Sequence, residues 1–129
     1  MRIVWATLKG KFQLKLGEKM DVVGFAVKGN TSFFEGRMLV ELVVHALGMN
    51  KVHQPTYYKY PVDGAGGVGF TYIQPISESF VALDSWPDHK GAYLVICSCK
   101  PVDVNLVKKV LGQEGYTIKK SFNTEMGLK

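Results

Sequence analysis

Long apolar runs are missing from this sequence. Nothing approaches the roughly 18–20 consecutive apolar residues that a membrane-spanning helix needs, so a soluble chain with no membrane partner is expected. The amino terminus, MRIVWATLKGKFQLKL, has a basic residue every few positions from Lys9 onward and no small-residue cleavage site, which is not the layout of a signal peptide. Cysteine is scarce too: only Cys97 and Cys99 are present, flanking Ser98. On a strand these two side chains share a face, but a bridge closing so short a loop is strained. Two thiols in a reducing, cytoplasmic compartment are the expectation. The three histidines, His45, His53 and His89, lie in different stretches, and a structural zinc site commonly wants four ligands in two close pairs, so no metal is expected. Internal repeats, low-complexity tracts and linkers are absent as well, which predicts a single domain over 1–129.

What is present is ordinary globular material. Hydrophobic residues make up 47% and charged residues 21%, enough apolar side chains for one core without disulfide staples. The formal net charge is +5, but the lysines are scattered, with close pairs only at Lys108–Lys109 and Lys119–Lys120. Without a basic helix or an aromatic RNA-binding strand beside them, these charges read as solvated faces rather than a nucleic-acid surface.

Local patterns predict an α+β fold. Ile3 to Leu16 alternates loosely around Gly10, as a strand pair or one bent strand does, and Val22 to Val27 is a short apolar run closed by Gly29–Asn30. Ser32 opens a helix to about Leu47: Ser32-Phe33-Phe34-Glu35 has capping-box spacing, and Gly48 sits where a C-cap glycine belongs. Phe34, Met38, Leu42 and Ala46, joined by Leu39, Val43 and Leu47, form its predicted core stripe. Strands are expected at Val52–Tyr60, Phe70–Ile76, Phe80–Trp86, Tyr93–Cys99 and Tyr116–Phe122, with frayed residues after the last. A second helix, capped by Asp103, should run to about Leu111 before Gly112. Two well-separated helices among many strands imply an antiparallel sheet with both helices on one face.

Gly64-Ala65-Gly66-Gly67-Val68-Gly69 resembles a phosphate loop only superficially. A dinucleotide fingerprint needs a helix after it, and a P-loop needs its lysine and serine; a β-rich run follows here, so a flexible turn is expected.

The informative segment is Ile76 to Lys100, ISESFVALDSWPDHKGAYLVICSCK. Ser77-Glu78-Ser79, then Trp86-Pro87-Asp88, then Cys99 occur in an order and spacing similar to the pyruvoyl-dependent prokaryotic S-adenosylmethionine decarboxylases. Upstream, Thr56-Tyr57-Tyr58-Lys59-Tyr60 stands in the place of that family's threonine-aromatic-histidine-basic-aromatic strand. The resemblance covers about half the chain, from the fifties to near residue 111.

The resemblance implies a homodimeric enzyme of polyamine (spermidine) synthesis with a self-derived pyruvoyl group as cofactor and S-adenosylmethionine as substrate. Removing carbon dioxide from an α-amino acid leaves a carbanion, so an electron sink is needed. By resemblance, the Ser79 hydroxyl attacks the Glu78 carbonyl, the ester that forms eliminates the Glu78 carboxylate and so cuts the chain, and hydrolysis of the resulting enamine with loss of ammonia leaves a ketone at the new amino terminus. Cys99 returns a proton to the substrate carbon, a task suited to a thiol of tunable pKa. Asp88 holds the ribose hydroxyls and Tyr60 stacks on adenine; a sulfonium also favours aromatic surroundings.

Several positions depart from the family pattern. Asp84 stands where the family has a histidine that assists self-cleavage. The aligned turn residues Gly66, Gly67, Val68 and Gly69 offer no hydroxyl. Phe80 replaces a histidine beside the scissile bond, and Gln74-Pro75-Ile76 reads as a short insertion. Retained Glu78, Ser79 and Cys99 favour an enzyme. The departures favour an unprocessed homologue that binds S-adenosylmethionine or a related amine without turnover. A pyruvoyl enzyme acting on arginine or ornithine is a further rival, against which Asp88 and Tyr60 argue. In the enzyme reading, Ser79, Asp84 and Cys99 are expected to cluster, with Asp88 and Tyr60 lining the same cavity and a second subunit able to complete it.

Overall fold

A computed structural model describes residues 19–62 and 67–128. The expected strands within Ile3–Leu16 lie outside the described residues. In chain order the elements are β1 (Lys19–Lys28), α1 (Phe33–Ala46), β2 (Thr56–Val62), β3 (Gly67–Ile76), β4 (Ser79–Trp86), a 3-10 turn at Pro87–His89, β5 (Gly91–Ser98), α2 (Val104–Gln113) and β6 (Thr117–Gly127). The strands form one six-stranded sheet in the order β2-β3-β4-β5-β1-β6. Every neighbouring pair is antiparallel, as expected.

Alternation builds the sheet's two faces. Val81, Leu83 and Ser85 of β4 are buried, as are Leu94 and Ile96 of β5, Phe70 and Tyr72 of β3, and Val23, Phe25 and Val27 of β1. Odd and even positions of a strand project oppositely, so these side chains make one apolar face. Both helices lie on it: α1 contributes Leu39, Val40, Val43 and Val44, and α2 contributes Val107, Val110 and Leu111 to the same core. The other face carries no helix among the described residues and exposes Ile73, Trp86, Tyr93, Phe122 and Met126.

The helix ends follow from local chemistry, with one change. Ser32 Oγ accepts the Glu35 N–H at 3.2 Å, but the Ser32 N–H goes to Asn30 Oδ1 at 2.8 Å instead of to the glutamate. The Asx turn made by Asn30 thus replaces the second half of the capping box. Asp103 Oδ1 accepts the Leu106 N–H at 3.1 Å, as its cap position predicts. Gly48, at φ +66°, takes the left-handed position just past α1.

Three expectations need correction. The stripe of α1 that faces the sheet is Gly36, Leu39, Val40, Val43 and Val44, whereas Phe34 and Met38 are exposed. Gly36 sets this rotation, because a Cβ there would lie 2.4 Å from the Phe70 ring; only a bare backbone fits so close to the sheet. Second, β3 begins at Gly67, so the end of the glycine run is strand and not turn. Third, β6 continues to Gly127 where fraying was expected, since its ladder with β1 extends to the Lys19↔Gly127 pair.

Candidate active site

The β3–β4 connection is a two-residue hairpin. Ile76 pairs with Ser79, leaving Ser77 and Glu78 at the crest. The chain leaving α1 braces it: Lys51 bridges to Ile76, and the Ser77 N–H donates to the Asn50 carbonyl at 2.8 Å. Across β4, Ser79 pairs with Ser98, the last residue of β5, so the following Cys99 arrives beside the crest. The Cys99 N–H donates to the Glu78 carbonyl at 3.0 Å. That carbonyl belongs to the Glu78–Ser79 peptide. A backbone donor on it polarises the bond and stabilises negative charge on its oxygen.

The Glu78 side chain is buried in this crest. Its Oε2 lies 3.6 Å from Lys100 Nζ, beyond hydrogen-bond range, and its Oε1 has no partner among the described residues. Ser77 Oγ is buried and unpartnered in the same way. Cys97 and Cys99 are half-buried and not joined in a disulfide. Burial pushes the Cys97 thiol up from its ordinary pKa, as desolvation does to any group that must become charged by losing a proton.

A second cluster gathers near the far end of β4. Asp84 Oδ1 accepts the Thr71 hydroxyl at 2.8 Å and the Tyr60 hydroxyl at 3.2 Å, and its Oδ2 accepts the Trp86 indole N–H at 3.0 Å. Trp86 meets Tyr93 edge-to-face at 6.1 Å, and Tyr93 is the cross-strand partner of Asp84. Asp88 lies two residues beyond Trp86 in the 3-10 turn, exposed, with its carboxylate 3.6 Å from His89 Nε2. A groove of about 370 Å³ runs beside Trp86, His89 and Tyr93 toward Lys28 and Lys119.

Of the residues expected to cluster, the structure brings Ser79 and Cys99 together, beside Glu78. Tyr60 and Asp84 meet separately, and Asp88 follows in the turn after β4. The two groups are not one site within one chain. Ser79 and Asp84 are five positions apart on a strand whose register with both neighbours is unbroken. At about 3.3 Å per residue they are roughly 16 Å apart, and odd separation places them on opposite faces. Asp84 therefore does not sit beside the Ser79 hydroxyl of its own chain. Sequence reasoning missed two members. Thr71 could have been found by extending the hairpin register from Ile76↔Ser79 to Thr71↔Asp84. Lys100 carried no pattern signal, since only burial of Glu78 gives it a role.

No protein-family model matches the sequence, and no curated protein matches it. In three dimensions the chain is similar to the crystal structure of the adenosylmethionine decarboxylase from Aquifex aeolicus VF5. The TM-score is 0.63 at 15% identity, covering 86% of this chain and 90% of that one. The likeness is one of fold. It extends well beyond the stretch in which the sequence pattern is similar.

Proposed function

We propose that this chain is a diverged S-adenosylmethionine decarboxylase-like protein whose Glu78–Ser79 bond is the site of a slow self-cleavage. The observation that carries the reading is the hydrogen bond from the Cys99 N–H to the Glu78 carbonyl at 3.0 Å. It sets a donor on the carbonyl that Ser79 would attack and brings the cysteine of the pattern to the same crest. These residues fit a pyruvoyl group formed from Ser79, with Cys99 beside it. When formed, such a group supplies the electron sink for loss of carbon dioxide. Around it, the Cys99 thiol holds the proton for the substrate carbon, and the Glu78 carboxylate, already drawn toward Lys100, becomes the new chain end's neighbour. Tyr60 and Asp88 serve the adenosine end.

One chain separates these two ends by more than a single small ligand spans comfortably, so the reading includes a homodimer. The helix-free face, with Trp86, Tyr93 and Phe122 exposed, is the surface available to a second copy. Apolar faces of this kind commonly mark association.

Intact-mass spectrometry of the purified chain during incubation tests this. Fragments breaking after Glu78 should accumulate slowly and be abolished by Ser79→Ala. Slowness follows because an acid or base in place contributes typically about 10²–10⁴-fold, and the histidine and turn hydroxyl of the family pattern are both absent. A single full-length mass at all times overturns the enzyme reading. The separation of Asp84 from Ser79 specifically favours a second one, an unprocessed binder of S-adenosylmethionine or a related amine. Saturable binding by the uncut Ser79→Ala chain, lost on Asp88→Ala, supports that alternative.

A further inference from the structure

A separate cleft lies away from both clusters. It lies on the helix-covered side, between α1 and the β2–β3 hairpin, with a volume of about 720 Å³, and neither Ser79, Cys99 nor Asp84 lines it. That volume is within the usual range of about 300–1,000 Å³ for small-molecule sites.

Its chemistry is divided. At one end, Phe33 packs on Tyr57 with ring centroids 4.9 Å apart, and Tyr57 stacks on Tyr72 at 6.2 Å and 15°. Tyr57 is half exposed, so its ring is open to a ligand. Toward the other end, Glu41 is already neutralised by Lys51, whose Nζ lies 2.9 and 3.0 Å from its two oxygens. Arg37, one helical turn before Glu41, has no carboxylate partner among the described residues. Gln74, which also lines the cleft, is 1% exposed, and its Oε1 has no donor among the described residues. The amide cannot be turned over to cure this. Its Nε2 already donates to the His53 carbonyl at 2.9 Å and the Pro75 carbonyl at 2.8 Å, and a flip would set Oε1 against both. A buried acceptor without a donor is costly.

We infer that this cleft binds an α-amino acid with a flat side chain. The carboxylate pairs with Arg37, the ammonium supplies the donor that Gln74 Oε1 lacks, and the side chain lies on the Tyr57 ring. A plain anion satisfies Arg37 and leaves Gln74 orphaned. A plain cation does the reverse and is repelled by Arg37. Only a zwitterion answers both, and the aromatic end selects a planar group. The inference is independent of any chemistry at Glu78–Ser79.

Calorimetric titration of the full chain with L-tryptophan, tryptamine and indole-3-propionate tests it. L-Tryptophan should bind saturably, and each analogue, lacking one charged group, should bind at least about 10-fold more weakly. Arg37→Gln, at an exposed position, should keep the parent's melting temperature. It should weaken L-tryptophan by about 10–100-fold, the worth of a charged hydrogen bond, and leave tryptamine no weaker. No saturable binding of L-tryptophan overturns the proposal. So does either analogue binding as tightly as the amino acid, or an Arg37→Gln chain with the parent's affinity.

Discussion

Glu78 should be a residue that its own fold would be no worse without. Its side chain is 3% exposed, and among the described residues it makes no hydrogen bond through Oε1 and has one cation near it, Lys100, which stands 3.6 Å away and is itself 42% exposed. Coulomb attraction at that distance is about 1 kcal/mol in water and about 4–5 kcal/mol at an effective dielectric of 20. Removing a carboxylate from water costs several kcal/mol, so the two terms nearly cancel. Replacing Glu78 by glutamine relieves the desolvation at almost constant volume. We expect Glu78→Gln to leave stability unchanged or raise it by up to about 2 kcal/mol, roughly 3–8 °C in Tm for a chain of this size. Lys100→Met removes only the attraction and leaves the charge buried, and should cost about 1–4 kcal/mol. The double variant should match Glu78→Gln alone, because an uncharged position 78 has nothing to gain from Lys100. Urea unfolding followed by circular dichroism, in a Ser79→Ala background that keeps the chain whole, measures all four. A Glu78→Gln chain as unstable as Lys100→Met refutes the reasoning, since it would make the carboxylate a net stabiliser.

Two glycines with similar overlaps should respond to valine by different amounts. At Gly36 a Cβ meets Phe70 at 2.4 Å and Leu83 at 2.9 Å, both sealed in the core, so Gly36→Val should cost about 2–3 kcal/mol by overpacking. At Gly24 it meets the Phe122 ring at 2.2 Å, but Phe122 is more than half exposed and can swing into solvent. Gly24→Val should therefore stay within about 1 kcal/mol of the parent, and equal losses in thermal unfolding would contradict this. Alkaline stability follows from two tyrosines. Burial first, then Glu41 and Tyr57 near Tyr72 against the opposing pull of Arg37, and Glu35 and Glu114 near Tyr116, raise both phenols above their ordinary value. Unfolded tyrosine loses its proton first as pH passes about 10, so the unfolded state then binds fewer protons and stability falls from there up to the folded pKa. The urea midpoint should drop above about pH 10, and less steeply in Tyr116→Phe; equal slopes would show that Tyr116 is not one of the groups responsible.

Local chemistry is legible in the order of the residues. Ser32 and Asp103 announce the two helix starts because a cap depends on three or four consecutive residues. Alternation in β4 and β5 announces strands, and their number with two separated helices announces an antiparallel α+β sheet. Periodicity misleads on α1, where Phe34 and Met38 fit a helical stripe as well as Leu39 and Val43 do. Only the approach of Gly36 to Phe70 chooses between the two.

The candidate site divides along the same line. Ser77-Glu78-Ser79 and Cys99 carry their meaning in order and spacing, and the two-residue hairpin with the β4–β5 register brings them together as that order suggests. Analogy sets Asp84 beside them, and the pleat overrules it: five residues along an unbroken strand mean opposite faces and about 16 Å. Its partners Thr71, Tyr60 and Trp86 are fixed by pairing across β2, β3 and β4. The cleft holding Arg37 and Gln74 has no sequence signal at all, because its residues come from α1, β2, β3 and the segment between, and share no spacing. Local patterns in the sequence mark most of the described helices and strands and both helix starts. Which face each side chain occupies, and which distant residues meet, emerge only on folding, since they depend on registers and close approaches between strands far apart in the chain.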